Sequence, residues 1–248
     1  MAPQAPEAPL LELAVCVTAP DESPSHLDAE HADLRLVGGA RLGARRGAQR
    51  VTFSVPEPVP SDELAHPYLA PAAALFWQWA ESEALHAGVV EVGEGAVLVF
   101  GEKQSGKSTT LASLAMEHGC AVLADDLAVI RDGRALAGPR SLDLRPGAEK
   151  TGGAQARGGS RIRVDLGAVP GSLPVVGACV LTWGRQDEVQ KVPVRERLTV
   201  LAAQRTYPLP GDPRALLELA AQPMFRLTRR WEPNERSASA GALLRCFA

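Results

Sequence analysis

Residues 96–126 read AVLVFGEKQSGKSTTLASLAMEHGCAVLADD. The apolar run 96–100 has the length and composition of a buried strand, and a glycine-rich turn follows it. From Lys107 to His118 apolar residues recur at helical spacing, and Gly119 is the kind of residue that ends a helix in the left-handed conformation. Residues 121–124 form a second short apolar run, which ends in two aspartates. The order strand, glycine turn, helix, strand predicts an α/β fold.

The turn at residues 101–108, GEKQSGKS, matches the pattern G-x-x-x-x-G-K-[ST] in full. Gly101 and Gly106 allow backbone conformations that turn successive amides toward one anion, and the amino end of the following helix adds a favourable dipole. Lys107 is expected to reach the β and γ phosphates of ATP, and Ser108 to place its hydroxyl on Mg²⁺. The residues predicted to bind the nucleotide are Gly101, Gln104, Ser105, Gly106, Lys107, Ser108 and Thr109.

Two consecutive acids, Asp125 and Asp126, follow this turn by one helix and one strand. In a strand–helix–strand unit the chain then returns to the sheet edge beside the phosphates, so both carboxylates face the metal region. Adjacent residues cannot point identically, which predicts a division of labour: one orients Mg²⁺ or its water, and the other accepts a proton from the acceptor hydroxyl. The sequence leaves open which acid is the base. As metal ligands we predict Ser108 and Asp126.

Several classes of phosphate-loop protein do not fit this pattern. A GTPase would need an N-K-x-D base-reading motif, but the single asparagine of the sequence, Asn234, stands in an unrelated context. An ABC-type ATPase would carry an LSGGQ-like signature, which is absent from the sequence. Small-metabolite kinases place a D-x-D pair after a loop near the chain start, whereas here 100 residues precede Gly101. These comparisons favour a different kind of phosphotransferase.

Composition limits the classes of binding partner and the cellular compartment that we expect for this protein. The chain has 248 residues and a formal net charge of -3, whereas nucleic-acid and anionic-membrane binders need a basic surplus. Its 4 cysteines are far apart and form no C-x-x-C pair, which argues against a disulfide scaffold or a zinc site. No apolar run approaches the roughly 20 residues that span a bilayer. We therefore expect a cytoplasmic protein whose partners include neither nucleic acid nor membrane.

The sequence divides into three regions. Residues 1–9 hold three prolines without periodicity and are expected to form a disordered tail. Residues 10–66 indicate a small β-rich subdomain, and residues 67–248 a P-loop domain that opens on a helix over 68–85. The further elements expected are strands at 11–17, 34–37, 51–55, 88–92, 127–130, 135–137, 161–164 and 175–183, helices at 194–205 and 213–222, and a mobile glycine-rich loop at 146–160.

Residues 85–130, LHAGVVEVGEGAVLVFGEKQSGKSTTLASLAMEHGCAVLADDLAVI, resemble the HPr kinase/phosphorylase family and its HPr-kinase-like relatives, including those of peptide natural-product pathways. The resemblance implies a P-loop kinase core over 67–248 of the type that the family shares with phosphoenolpyruvate carboxykinases. It also implies that His86, which opens the strand before the loop, lies near the transferred phosphate and orients it or stabilises its charge. A homo-oligomer is compatible with the resemblance.

Basic residues outnumber acidic ones between residues 131 and 163. Such an excess beside a triphosphate could stabilise transition-state charge or hold an acidic acceptor. Arg161 and Arg163 follow the glycine-rich loop, and we predict that they contact phosphate. The family's carboxy-terminal signature for phosphorolysis is not recognisable in the sequence, which favours a kinase over a phosphorylase.

The leading hypothesis is an ATP- and Mg²⁺-dependent kinase that acts on a serine or threonine hydroxyl of a peptide or small protein. The catalytic residues that it uses are His86, Lys107, Asp125 and Asp126. One alternative is a kinase of a small hydroxylated metabolite. The other is a regulator that binds ATP and transfers nothing, although such a protein needs no proton acceptor beside its loop.

Overall fold

The structure is a computed structural model that describes residues 12–19, 21–60, 64–138, 142–144, 154–157, 161–164, 166–230 and 236–247. The predicted tail at 1–9 lies outside these residues. The chain divides into two compact units. One contains the described residues up to Ser82 together with Tyr207–Gly211, and the other contains those of Glu83–Thr206 and from Asp212 onward. The architecture is mixed α/β, as the sequence predicted.

The first unit is a five-stranded sheet with one helix. Its strands are β1 (Glu12–Val17), β2 (His26–Leu27), β3 (His31–Arg35), β4 (Arg41–Arg45) and β5 (Arg50–Val55), in the order β1-β5-β4-β3-β2. β1 is parallel to β5, and the other pairs are antiparallel. A turn of π-helix at Leu64–Leu69 leads into α1 (Ala70–Trp79), and Leu42, Phe53 and Leu75 pack in the core of this unit.

Two expectations for this region were wrong. β4 is absent from the expected strands, because glycine and arginine obscure its alternation; Leu42 nevertheless lies in the core with no exposure. The helix expected over 68–85 ends at Trp79, because Glu81 adopts a left-handed φ of 60° and the next strand begins at Glu83. The compact units divide after Ser82, and the domain boundary expected at residue 66 stays a prediction.

The second unit contains a nine-stranded sheet. Its strands are β6 (Glu83–Leu85), β7 (Gly88–Val92), β8 (Gly95–Gly101), β9 (Val122–Ala124), β10 (Ala128–Arg131), β11 (Arg134–Leu136), β15 (Ser172–Trp183), β16 (Glu188–Lys191) and β17 (Met224–Arg229). They run in the order β6-β10-β11-β15-β8-β7-β9, and β17 pairs with both β15 and β16. A separate antiparallel sheet contains β12 (Leu142–Leu144), β14 (Arg161–Val164) and β13 (Ala154–Arg157).

The predicted mobile loop at 146–160 lies outside the described residues except for 154–157, which form β13 and so correct the prediction there. The helices of the second unit are α2 (Lys107–His118), α3 (Val194–Ala203), α4 (Pro213–Ala221) and α5 (Arg236–Cys246). No helix within the described ranges is long and apolar enough to cross a membrane.

The large sheet is buried on both faces, as alternation along β8 shows. Leu98 and Phe100 join the cluster that includes Leu201 of α3 and Leu219 of α4. Val97 and Val99, which point the other way, pack with residues of α2 and α5. Successive strand side chains face opposite sides of a sheet, so a strand covered by helices on both faces must be apolar throughout. This explains why residues 96–100 contain no polar residue.

Strand direction determines what lies at one edge of this sheet. β8, β15 and β17 are mutually parallel, with Gly101 opposite Leu181 and Trp183 opposite Arg229. β7 is antiparallel to both β8 and β9 and lies between them. The carboxyl ends of β8, β9, β15 and β17 therefore meet the amino end of β7 at a single edge. Ligands of open α/β sheets bind at such an edge.

Candidate active site

The loop 101–108 joins β8 to α2 and has the backbone conformations that its composition predicts. Gln104 and Gly106 have φ values of 72° and 86°, with Ser105 between them. Alternation of this kind turns successive N–H groups to one side and forms an anion-binding concavity. No described side chain caps the amino end of α2, so its first amides remain available to a ligand.

Space as well as conformation requires the two motif glycines. A Cβ at Gly101 would collide with the hydroxyl of Ser105 and lie 3.1 Å from the carbonyl oxygen of Leu181. At Gly106, where φ is 86°, a Cβ would lie 3.4 Å from both the Arg229 guanidinium and the Trp183 ring. A Cβ at Gly101 would therefore displace the loop, whereas at Gly106 a Cβ would be in contact with the support of the loop and the left-handed φ is what disfavours it.

Lys107 is buried, with 6% exposure, and its ammonium lies within the site. Its Nζ is 2.9 Å from the carbonyl oxygen of Gly101 and 2.9 Å from Nε2 of His86. Burial lowers the pKa of Lys107, while Asp126 and then Asp125 oppose this effect. An ammonium has three N–H donors, so one remains to be offered to a phosphate oxygen.

The contacts of His86 define its protonation state. Lys107 can only donate, so Nε2 of His86 accepts; Nδ1, 3.0 Å from the carbonyl oxygen of Asp126, must then carry the proton and donate. Desolvation of the ring and the Lys107 charge lower the pKa of His86, which favours the same neutral form. His86 nevertheless remains an exposed residue and is accessible to an incoming group.

Asp125 is the more deeply buried of the two acids, with 4% exposure. Burial, followed by the charge of Asp126, raises the pKa of Asp125 to about 7, although a hydrogen bond with the Ser108 side chain acts in the opposite direction. One carboxylate oxygen also accepts the Asp126 backbone N–H at 3.0 Å. The acid that contacts the motif serine is thus Asp125, whereas the sequence paired Ser108 with Asp126.

Asp126 occupies a different position. It adopts a left-handed φ of 64° and is half-buried. The charge of its carboxylate favours a higher pKa for both Lys107 and His86, against the effect of burial. A left-handed conformation is unfavourable for a non-glycine residue and is often found at functional sites. The two acids therefore face different neighbours: Asp125 the motif serine, and Asp126 the lysine and histidine.

Sequence reasoning missed two residues that support the loop from neighbouring strands. Arg229, at the end of β17, donates to the carbonyl oxygen of Ser105 and, at 3.0 Å, to Oγ1 of Thr110. Trp183, at the end of β15, donates from Nε1 to the carbonyl oxygen of Gln104 at 3.1 Å. The only sequence signal is that Trp183 ends a predicted apolar strand; Arg229 had none, because β17 was not predicted.

The remaining predicted residues lie outside this group or carry no described contact. Arg161 and Arg163 lie on β14, but their side chains fall outside the described part of the structure, so the predicted phosphate contacts stay predictions. Thr109 lies in the first turn of α2 and is half-buried.

The oxygen donors suit Mg²⁺. Among the described residues, no group of three or more His, Cys, Asp or Glu side chains is arranged to hold a metal. Mg²⁺ does not need such a group, because it binds through one or two protein oxygens, phosphate oxygens and water. The Ser108 hydroxyl beside the buried Asp125 carboxylate is a donor set of this kind.

Comparison with known proteins gives a distant structural relationship. No protein-family model matches the chain, and no curated protein matches it. Among solved structures, the "Hpr(Ser) kinase/phosphatase from Coxiella burnetii" matches with a TM-score of 0.32 at 11% identity, covering 66% of this chain and 94% of that chain. At that level of similarity neither an activity nor the role of any residue is transferred to this protein.

Proposed function

We propose that this protein is an ATP- and Mg²⁺-dependent kinase that transfers the γ-phosphoryl group to a serine or threonine hydroxyl of a peptide or small protein. One observation carries the proposal. Nζ of the loop lysine, Lys107, lies 2.9 Å from Nε2 of His86. Asp125 and Asp126 lie at the same edge of the sheet, and both act on the charge of Lys107. The site therefore places three kinds of group side by side: donors for an anion, two oxygens that can bind a metal, and a proton acceptor. Phosphoryl transfer requires all three.

In this proposal the loop holds the triphosphate. The amides of Gly106 and of the start of α2 donate to phosphate oxygens, and Lys107 donates its remaining N–H to the β and γ phosphates. His86 keeps the lysine in place by accepting one of its N–H groups. Because the ammonium is buried, its charge acts through a low-dielectric medium and is less screened than the charge of a surface lysine.

Ser108 and Asp125 would hold Mg²⁺. Bound there, the ion would neutralise charge that develops in transfer. Burial makes the ionised form of Asp125 costly without a nearby cation. A divalent cation removes this cost, which makes Asp125 a better metal ligand than base.

Asp126 is then the proton acceptor. The acceptor oxygen bonds to the γ-phosphorus as the bond from that phosphorus to the β–γ bridging oxygen breaks, and ADP leaves with the electron pair. The hydroxyl proton passes to the Asp126 carboxylate. His86 and Asp126 are accessible, being exposed and half-buried respectively, which allows an acceptor on a larger molecule to approach.

The experiment is a transfer assay. Purified protein is incubated with γ-labelled ATP and Mg²⁺, first with a mixture of serine- and threonine-containing peptides and then with small polyols. Label on peptides, reduced in Asp126→Asn, supports the proposal. Label on polyols alone would establish the small-metabolite kinase instead. Nucleotide binding without transfer to either class would favour the ATP-sensing regulator and overturn the kinase.

A further inference from the structure

Arg229 is a buried cation directly behind the predicted phosphate loop. It is 5% exposed, and its guanidinium contacts the loop at two places: the carbonyl oxygen of Ser105, and Oγ1 of Thr110 at 3.0 Å. Thr110 in turn donates to the carbonyl oxygen of Gly106 at 3.0 Å. One guanidinium thus holds two points of the loop, one of them through a bridging hydroxyl.

Trp183 completes this support. The guanidinium carbon of Arg229 lies 4.4 Å from the centre of the Trp183 ring, in the geometry of a cation–π contact. The indole N–H of the same tryptophan holds the carbonyl oxygen of Gln104. The carbonyl groups of Gln104 and Ser105 are therefore both held by these two side chains. The N–H of Gly106, which points away from the Ser105 carbonyl of the same peptide, faces the opposite side, whereas the N–H of Ser105 donates to the carbonyl oxygen of Glu102 at 3.0 Å.

The charge of Arg229 has no directly paired acid among the described residues, although the more distant Asp187 partly offsets the effect of burial on the pKa of Arg229. No Asp or Glu within the described residues forms an ion pair with it, and its Nε has no hydrogen-bond partner there. Burial lowers the pKa of Arg229 to about 10. A buried charge that lacks a counter-ion is costly, and a cost of this kind at a predicted anion site is typical of functional groups.

We propose that Arg229 is a positioning residue for the loop, and that its buried charge is compensated by the triphosphate when nucleotide binds. The inference rests on the proposed nucleotide site and adds a residue to it. It has two consequences. Loss of the guanidinium should weaken nucleotide binding, and it should weaken binding of ATP more than binding of ADP, because ATP carries the larger negative charge.

A buried arginine of α3 provides a matched control. Arg197 is 4% exposed and also holds backbone carbonyl groups, those of Val192, Ala220 and Gln222. These partners lie around the beginning of β17, at Met224, whereas Arg229 ends the strand. Arg197→Met removes an equally buried guanidinium with similar partners but far along the strand from the loop.

The test compares dissociation constants of folded protein by calorimetry with Mg²⁺, using ATP and ADP as probes. We expect Arg229→Met to raise Kd for ATP by about 10–100-fold and Kd for ADP by a smaller factor, because two charge-assisted contacts and one cation are lost. Arg229→Lys keeps the positive charge but loses the planar, forked set of guanidinium donors, so it should bind nucleotide more tightly than Arg229→Met and less tightly than wild type. Arg197→Met should lower Tm and leave both constants within about 2-fold.

The outcomes separate this inference from the function on which it rests. If wild-type protein binds no nucleotide, the proposed function is wrong. If wild type binds and Arg229→Met binds with unchanged Kd and an unchanged ratio between ATP and ADP, Arg229 is merely structural and the inference is overturned. Should Arg229→Met not fold, Arg229→Gln, which keeps amide donors but removes the charge, decides by the same measurement, and wild-type constants with a wild-type ratio in that variant overturn the inference equally.

Discussion

His86 connects the loop lysine to the acid pair: its Nε2 lies 2.9 Å from Nζ of Lys107, and its Nδ1 lies 3.0 Å from the carbonyl oxygen of Asp126. These residues come from three places in the chain. β7 brings His86 between the carboxyl ends of β8 and β9 because it is antiparallel to both. Neutral imidazole is the form that fits both contacts, so His86 orients the site without adding charge to it.

Replacement of His86 should reduce turnover more than affinity. His86→Phe removes the acceptor that holds Lys107, and we expect kcat to fall by about 10–100-fold because the lysine is no longer positioned for the transferring group. His86→Gln, whose side-chain oxygen can accept from Lys107, should retain more activity. Steady-state kinetics with ATP measures kcat of both variants. Equal losses of kcat would show that the hydrogen bond between residue 86 and Lys107 does not determine turnover.

Replacement of Asp125 and replacement of Asp126 should have different effects. Asp126→Asn is expected to lower kcat by about 100-fold or more while Kd for MgATP changes little, because the proton acceptor is lost. Asp125→Asn should instead weaken the dependence of binding on Mg²⁺, because the carboxylate beside Ser108 is lost. Titration of ATP with and without Mg²⁺, combined with kinetics, distinguishes them. Unchanged turnover in Asp126→Asn would rule out the proposed base.

Gly106 and Gly119 form a matched pair at the two ends of α2. Both have a left-handed φ, 86° and 68°, but a Cβ at Gly119 would meet nothing within 4 Å, whereas one at Gly106 would lie within the phosphate loop, 3.4 Å from both Arg229 and Trp183. Each alanine variant should lose about 1 kcal/mol of unfolding free energy to backbone strain. Only Gly106→Ala should also lose nucleotide affinity. Chemical denaturation and calorimetry test this, and normal binding by Gly106→Ala would contradict it.

The pH dependence of stability follows from Asp125. Its pKa rises from an ordinary value of 3.8 to about 7 on folding, so between these values the folded state keeps a proton that the unfolded chain has released. Stability therefore falls as pH rises. In metal-free buffer, we expect Asp125→Asn to remove this contribution, which is on the order of a few kcal/mol.

The control for the pH experiment is Asp132→Asn, since the Asp132 side chain is 89% exposed. Denaturant unfolding at a series of pH values should give the wild-type slope in that variant and a shallower one in Asp125→Asn. Identical slopes in all three proteins would mean that Asp125 is not held protonated by burial.

The segment around the loop was predictable because its signals are local. A fixed motif, helical spacing from Lys107 to His118 and the left-handed Gly119 define α2 with the bounds expected from sequence. The position of Asp125 and Asp126 at the loop edge also followed from chain order. The sequence did not predict that β7 lies between β8 and β9, since strand order depends on packing between distant segments.

The support behind the loop could not be predicted for the same reason. Arg229 meets Ser105 across more than a hundred residues, and β17, MFRLTR, alternates too weakly to be recognised as a strand. Likewise, the choice of Asp125 rather than Asp126 beside Ser108 depends on the left-handed φ of Asp126. That conformation is unusual for aspartate, and no local signal marks it.

Isothermal calorimetry of wild-type protein and Lys107→Met with MgATP tests the central claim, that loop 101–108 is a triphosphate site. We expect wild type to bind one equivalent with Kd of roughly 1 μM to 1 mM, and the variant to bind at least about 100-fold more weakly because it lacks the buried ammonium. Absence of binding by wild type, or equal binding by both proteins, would contradict the claim.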